Sequence, residues 1–192
     1  MILLAIDTAG PSAGVASAPD ELIVYEAVVQ SGRTHSVNLM PLIDEAYTRA
    51  GVSVGETDAF AVTVGPGSFT GVRIGVSCVK TLAHVKEKPC VAVDALEALA
   101  AGAEGFNGVI CPIQDARAGQ VYGAVFAGDT LERLSEDAPM KIGDFCDLAM
   151  SFDRKALFLG DGVKPQRAMI ESVMGERAVF APTHQMYLRP AA

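Results

Sequence analysis

The chain reads as an α/β protein of two lobes, and three features of its pattern predict this. Short apolar runs of strand length alternate with longer segments whose apolar residues recur every three to four positions. Turn residues (Gly, Pro, Asp) stand at almost every change of period. A glycine-rich stretch at 102–108 divides the pattern near its middle, giving lobes 1–102 and 103–192. Of the 192 residues, 50% are hydrophobic, enough to bury a core in each lobe.

Residues 2–6 (ILLAI) form a buried strand that ends in the turn Asp7-Thr8-Ala9-Gly10-Pro11. Residues 13–18 and 22–29 are two further strands joined at Pro19-Asp20, so the sheet opens as an antiparallel meander. From Thr34 to Ala50 the period becomes helical: Val37, Met40, Ile43, Tyr47 and Ala50 share a face, with Ser36 as the expected cap and Gly51 as the stop. Residues 58–64 are the next strand. The turn GPGSFTG leads into a helix from Val72 to Val85, and a strand at 90–93 precedes a helix from Leu96 to Ala101. The order to this point is βββαβαβα.

In the second lobe, strands are expected at 109–114, 120–126, about 133–141 and 156–159, with helices at 144–151 and 165–174. The Asp115–Gly119 segment joins the first two strands, and Gly160-Asp161-Gly162 forms a turn.

Formal charge is 15 − 23 = −8, which disfavours a chain that coats nucleic acid by itself. Cysteines at 78, 90, 111 and 146 show no CxxC spacing and read as small core residues in a reducing, cytoplasmic setting. His35, His84 and His184 lack metal-ligand spacing. The start MILLAID carries no charged leader and reaches Asp7 too soon for a signal peptide or membrane span, so no membrane association is expected.

The segment Gly65-Pro66-Gly67-Ser68-Phe69-Thr70-Gly71-Val72-Arg73-Ile74-Gly75 is the most informative. It joins a strand to a helix, yet it lacks the lysine of a Walker loop and the third glycine of a dinucleotide fingerprint. Gly67, Gly71 and Gly75 fall four apart and would form a groove without side chains. A helical glycine costs about 1 kcal/mol against alanine, so close backbone approach is the expected compensation. The approaching backbone belongs either to the same lobe or to another molecule, and the spacing does not choose between them. Arg73, Ser77, Lys80 and His84 line up beside the groove as one polar stripe.

Ile6-Asp7-Thr8, Thr34-His35-Ser36 with Leu39-Met40-Pro41-Leu42-Ile43-Asp44, GPGSFTGVRIG and Val93-Asp94-Ala95-Leu96-Glu97-Ala98-Leu99 resemble, in order and spacing, the bacterial TsaB (YeaZ) proteins. Asp115-Ala116-Arg117 with Gly119-Gln120-Val121-Tyr122, and Leu159-Gly160-Asp161-Gly162, extend the likeness over nearly the whole chain. The resemblance implies the actin/sugar-kinase/heat-shock-protein fold, which is ribonuclease H-like, with a reduced second lobe. It implies a role in forming threonylcarbamoyladenosine beside the anticodon of tRNA, as a subunit that does not itself transfer the group. The implied partners are the paralogous catalytic subunit TsaD and the ATPase TsaE, with homodimers when the chain is alone and tRNA met only through the complex.

The helices at about 34–50 and 68–86 are the implied contact surface. Its candidate residues are His35, Leu39, Met40, Ile43, Gly67, Phe69, Thr70, Gly71, Arg73 and Gly75. On this reading Gly71→Leu abolishes pairing and leaves the monomer folded. The catalytic paralogue holds a metal with two histidines where Ala95 and Leu99 stand here, and neither side chain has a lone pair to offer. Asp7 and Thr8, with Gly160 and Gly162, match the fold's nucleotide loops in worn-down form. No cofactor is therefore expected beyond weak ATP or ADP binding, at most in the complex.

The alternative reading is a small-molecule kinase or ATPase using Asp7 as metal anchor and Asp115 as base. A metalloprotease would need paired histidines that the chain does not have. One helix of the family pattern is missing before Tyr187-Leu188-Arg189.

Overall fold

In the computed structural model, which describes residues 1–20, 22–30 and 34–192, the chain divides into two compact units. The first comprises Met1–Ala95 together with Leu188–Ala192, and the second Leu96–Tyr187. By packing, the division thus falls after Ala95 rather than in the glycine stretch at 102–108, and the tail belongs to the first unit.

The first unit is a five-stranded sheet of β1 (Ile2–Asp7), β2 (Ala13–Pro19), β3 (Tyr25–Val29), β4 (Ala59–Gly65) and β5 (Cys90–Asp94) in the order β3-β2-β1-β4-β5. The pairs β1–β2 and β2–β3 are antiparallel; β1–β4 and β4–β5 are parallel. Register places Leu4 between Ser17 and Phe60, and Ile6 between Val15 and Val62, so these side chains share one face. Helices α1 (His35–Ala50) and α2 (Phe69–Lys86) both pack there. Leu39, Leu42, Ile43 and Ala46 of α1, with Val79 and Ala83 of α2, join Leu4, Ile6, Val15, Phe60 and Val62 in one buried cluster. Each large aliphatic or aromatic side chain so buried contributes about 1.5–3 kcal/mol.

The cap of α1 is Thr34, not Ser36; Gly51 ends the helix in the left-handed region at φ 67°. Helix α2 starts three residues before the expected Val72, because Ser68 caps it and its Oγ accepts the Gly71 N–H at 3.2 Å. Strand β3 begins only at Tyr25; Leu22, Ile23 and Val24 precede it and are exposed.

The second unit repeats this pairing scheme. Strands β6 (Val109–Arg117), β7 (Gln120–Gly123), β9 (Ala138–Lys141), β10 (Ala156–Leu159) and β11 (Ala178–Phe180) run in the order β9-β7-β6-β10-β11, with β8 (Phe126–Ala127) also on β6. Helix α3 (Ala95–Ala101) precedes the sheet. Helices α4 (Ile142–Met150) and α5 (Val163–Met174) bury Ile142, Phe145, Cys146, Ala149, Ile170 and Met174 with Cys111, Ile113 and Phe158. The expected strand at 120–126 is broken after Gly123, where a Cβ would stand 2.7 Å from the Phe145 ring. The strand expected at 133–141 contracts to β9, and Arg133 stacks over Phe126 at 4.8 Å instead.

Cys111 and Cys146 are core residues as expected, but Cys78 is half-buried and Cys90 is exposed on β5. After β11 a single 3-10 turn at Thr183–Gln185 precedes the tail. There Arg189 pairs with Glu26, the Ala191 N–H donates to Glu26 Oε1 at 3.2 Å, and Leu188 is buried. Among the described residues no helix is long and apolar enough to cross a membrane.

Candidate functional site

The GPGSFTGVRIG segment links the end of β4 to the first turns of α2, and what it faces decides its role. Gly65 and Gly67 have φ of 114° and 153°, values that side chains rarely tolerate, and the Gly65–Pro66 peptide is cis. The Ser68 N–H donates to the Ala9 carbonyl at 2.7 Å. Gly71 and Gly75 both turn inward onto Thr8: a Cβ on Gly71 would stand 2.1 Å from the Thr8 carbonyl oxygen, and one on Gly75 2.4 Å from Thr8 Oγ1. Thr8 Oγ1 in turn donates to the Gly71 carbonyl at 2.8 Å.

The glycine groove is therefore occupied by the chain's own β1 turn. Gly71 and Gly75 are buried, and Gly71→Leu is expected to disrupt this unit rather than leave it folded. Gly67 is half-buried in the loop.

Asp7 and Thr8 are spent on the same junction. Buried Asp7 accepts the Ala9 N–H at 3.0 Å and the Thr63 hydroxyl at 2.6 Å through Oδ1. This is an Asx turn braced by the neighbouring strand. His35 Nε2 lies 3.0 Å from the Gly10 carbonyl, which can only accept, so Nε2 carries the proton.

Of the α1 and α2 candidates, Leu39 and Ile43 lie in the core, whereas Met40, Phe69, Thr70 and Arg73 are exposed and His35 is half-buried. Phe69 is 75% exposed and Met40 54%. The Arg73 guanidinium sits 5.3 Å from the Phe69 ring centroid at the start of α2, and Met40 Sδ of α1 is 4.0 Å from Cys78 Sγ further along α2.

Val37, 53% exposed, belongs with them. Sequence periodicity assigned it to the core face. At 100° per residue, however, Val37 lies well off the Leu39–Ile43–Ala46 stripe, and that offset was the available signal.

In the second unit the corresponding turns are also used internally. A Cβ on Gly160 (φ 101°) would stand 2.1 Å from the Ile113 carbonyl, and one on Gly162 3.1 Å from the same oxygen. Asp115 Oδ1 accepts the Arg117 N–H at 2.9 Å and its carboxylate pairs with the Arg117 guanidinium at 3.3 Å. Arg117, Ala118 and Gly119 all have positive φ, with Ala118-Gly119 as the two-residue hairpin loop.

Asp161 accepts the Asp115 N–H at 3.0 Å, and burial, followed by the nearby Asp115 charge, raises its carboxyl above the ordinary value of 3.8. A raised carboxyl contributes stability below pH 3.8 that is lost as pH rises through the folded-state value. Asp161→Asn keeps an acceptor for Asp115 and removes the buried charge. It is expected to raise Tm at pH 7 and to leave Tm unchanged near pH 3 in thermal melts; a lower Tm at pH 7 contradicts this.

Ala95 and Leu99 are buried, 0% and 3% exposed, and offer no ligand atoms. Among the described residues no group of three or more His, Cys, Asp or Glu could hold a metal ion.

The profile of the tRNA N6-adenosine threonylcarbamoyltransferase family (TsaD) matches residues 29–185. The chain is 35% identical over 193 residues to the tRNA threonylcarbamoyladenosine biosynthesis protein TsaB of Bacillus subtilis, covering 100% of this chain and 84% of that one. A Pseudomonas aeruginosa structure described as an uncharacterized protein with similarity to peptidase YEAZ superposes with a TM-score of 0.77. It shares 26% identity and covers 95% of this chain and 82% of its own. Component A of the Acidaminococcus fermentans (R)-2-hydroxyglutaryl-CoA dehydratase superposes with a TM-score of 0.52 at 12% identity, over 96% and 93% of the two chains. That likeness concerns the fold alone, and it places the two-unit sheet topology in the actin/sugar-kinase/heat-shock-protein class.

Proposed function

This chain belongs to the TsaB (YeaZ) family, and from that premise we propose that it is a non-catalytic subunit of tRNA threonylcarbamoyladenosine biosynthesis, pairing with and activating a TsaD-type subunit. Its part in that biosynthesis is the common property of its named relatives. A TsaE-type ATPase is the third component on this reading, tRNA is met through the complex, and the chain forms homodimers when alone.

The observation that carries the proposal is the helix pair α1–α2. Its glycines are consumed internally, yet it displays Val37, Met40 and Phe69 beside Arg73 to solvent. Exposed aromatic, methionine and arginine side chains are the usual anchors of an interface. Buried Ala95 and Leu99 at the positions matching the paralogue's metal-binding histidines support the non-catalytic part. So does Asp7, whose Oδ1 is engaged by Ala9 and Thr63.

The test is tRNA threonylcarbamoylation by the TsaD-type and TsaE-type proteins of the source organism, supplied with threonylcarbamoyl-adenylate, with and without this chain. Modification is expected only when the chain is present. Unchanged modification without it overturns the proposal.

A further inference from the structure

Strand β5 closes the first unit's sheet on one side, and along Cys90–Ala92 its outer edge carries no charged side chain and no proline to blunt it. In its parallel pairing with β4 the Phe60 N–H bonds the Pro89 carbonyl, and Cys90 and Ala92 stand opposite Phe60 and Val62. Backbone groups of a parallel strand alternate between its two sides, so the N–H and C=O of Cys90 and Ala92 point outward. Cys90, Val91 and Ala92 are all exposed, Val91 by 52%. The opposite edge differs: on β3, Glu26 is held by Arg189 and the Ala191 N–H.

Beside the β5 edge runs an open groove of about 460 Å³ lined by Lys80, Ala83, His84, Glu87, Lys88 and Cys90. Lys88 pairs with Asp58 at 3.8 Å. Lys80 and His84 have no ion-pair partner among the described residues.

We propose that the β5 edge and this groove form a docking site for an extended peptide whose alternate residues are acidic and aliphatic. A strand added about 4.8 Å beyond β5 would bond the outward groups of Cys90 and Ala92. Its side chains on the helix-bearing face enter the groove, where Asp58 already holds Lys88 but Lys80 and His84 stand without an ion-pair partner among the described residues, and these two groups select carboxylates. On the other face its side chains continue the row of Ala61 and Val91, which selects aliphatic groups. The site uses Lys80 and His84 of the C-terminal half of α2, further along the stripe that begins at Arg73.

The probe is a fluorescein-labelled Gly-Glu-Val-Glu-Val-Glu-Gly peptide, compared with its lysine counterpart, titrated against the full chain by anisotropy. Iodoacetamide labelling of Cys90 gives a second readout, since Cys90 is the one exposed cysteine of the four. Burial pushes the other thiols up, Cys146 to about 11.

The acidic peptide is expected to bind and to slow Cys90 labelling. Lys80→Glu is expected to weaken binding about tenfold, and Ala92→Pro, which removes an outward N–H and spares the β4 ladder, to abolish it. Should Ala92→Pro fail to fold by circular dichroism, a peptide N-methylated at its central Glu and both Val residues carries the same test. Equal binding of both peptides, binding of neither, or binding unaffected by Lys80→Glu overturns the proposal. So does self-association of the chain that Ala92→Pro removes, which would make a second copy the occupant. The assay needs no TsaD-type partner, so its failure leaves the subunit reading untouched.

Discussion

Gly71→Ala is expected to destabilise the first unit by roughly 2–4 kcal/mol, a large share of a small domain's stability. The added Cβ would stand 2.1 Å from the Thr8 carbonyl oxygen. That oxygen cannot yield cheaply, because Thr8 follows directly on β1, which is held between β2 and β4. Moving α2 outward instead would stretch the Thr8 Oγ1–Gly71 bond and lift Val79 and Ala83 from the core.

Gly75→Ala meets the Thr8 hydroxyl at 2.4 Å, a side-chain atom that can turn away only by giving up its bond to the Gly71 carbonyl, so its cost should be about 1–3 kcal/mol. Gly143→Ala in α4 meets nothing within 4 Å and should stabilise slightly. The chain has no tryptophan, so urea unfolding followed by far-ultraviolet circular dichroism is the measurement. An unchanged midpoint for Gly71→Ala would show that the Thr8 junction is not tightly packed.

The second large effect concerns pairing rather than folding. Phe69→Glu is expected to weaken association with the TsaD-type subunit at least 100-fold, about 2.7 kcal/mol, while the chain's own unfolding midpoint stays put. The ring is 75% exposed and touches chiefly the Arg73 guanidinium, so the free chain loses little when it goes. In a desolvated interface a carboxylate at that position carries a desolvation penalty as well as lost packing. Calorimetric titration with the partner is the check, and affinity within threefold of the unchanged chain would remove Phe69 from the interface.

These two variants separate roles that the sequence left merged. GPGSFTGVRIG is one continuous motif, and spacing showed that something approaches its glycines closely. Whether that something is Thr8 or a second molecule is a tertiary fact, because an internal and an intermolecular neighbour demand the same missing Cβ. Phe69 and Arg73 sit between the glycines on the opposite side of the helix and answer to a different constraint.

Elements with a clear period were readable in the same way: β1, β2 and α1 follow their apolar patterns to within a residue or two, and β10 coincides with the expected 156–159. Misreadings arose where apolar residues stay exposed. Leu22–Val24 look like strand, and Cys90–Ala92 look like core, yet no layer covers either segment. β11 is three residues long and leaves too little pattern to detect.

The return of Leu188–Ala192 to the first unit has a consequence for how the chain is made. Pro190 seats on Gly14 of β2, and Arg189 holds Glu26 on β3, so these two strands are finished by residues that follow them at a distance of 163 positions in the case of Glu26 and Arg189. Everything from Leu96 to Tyr187 must leave the ribosome before that clasp can close. During translation the first unit therefore waits as an unclasped sheet, while the second, contiguous in sequence, is free to fold as it emerges.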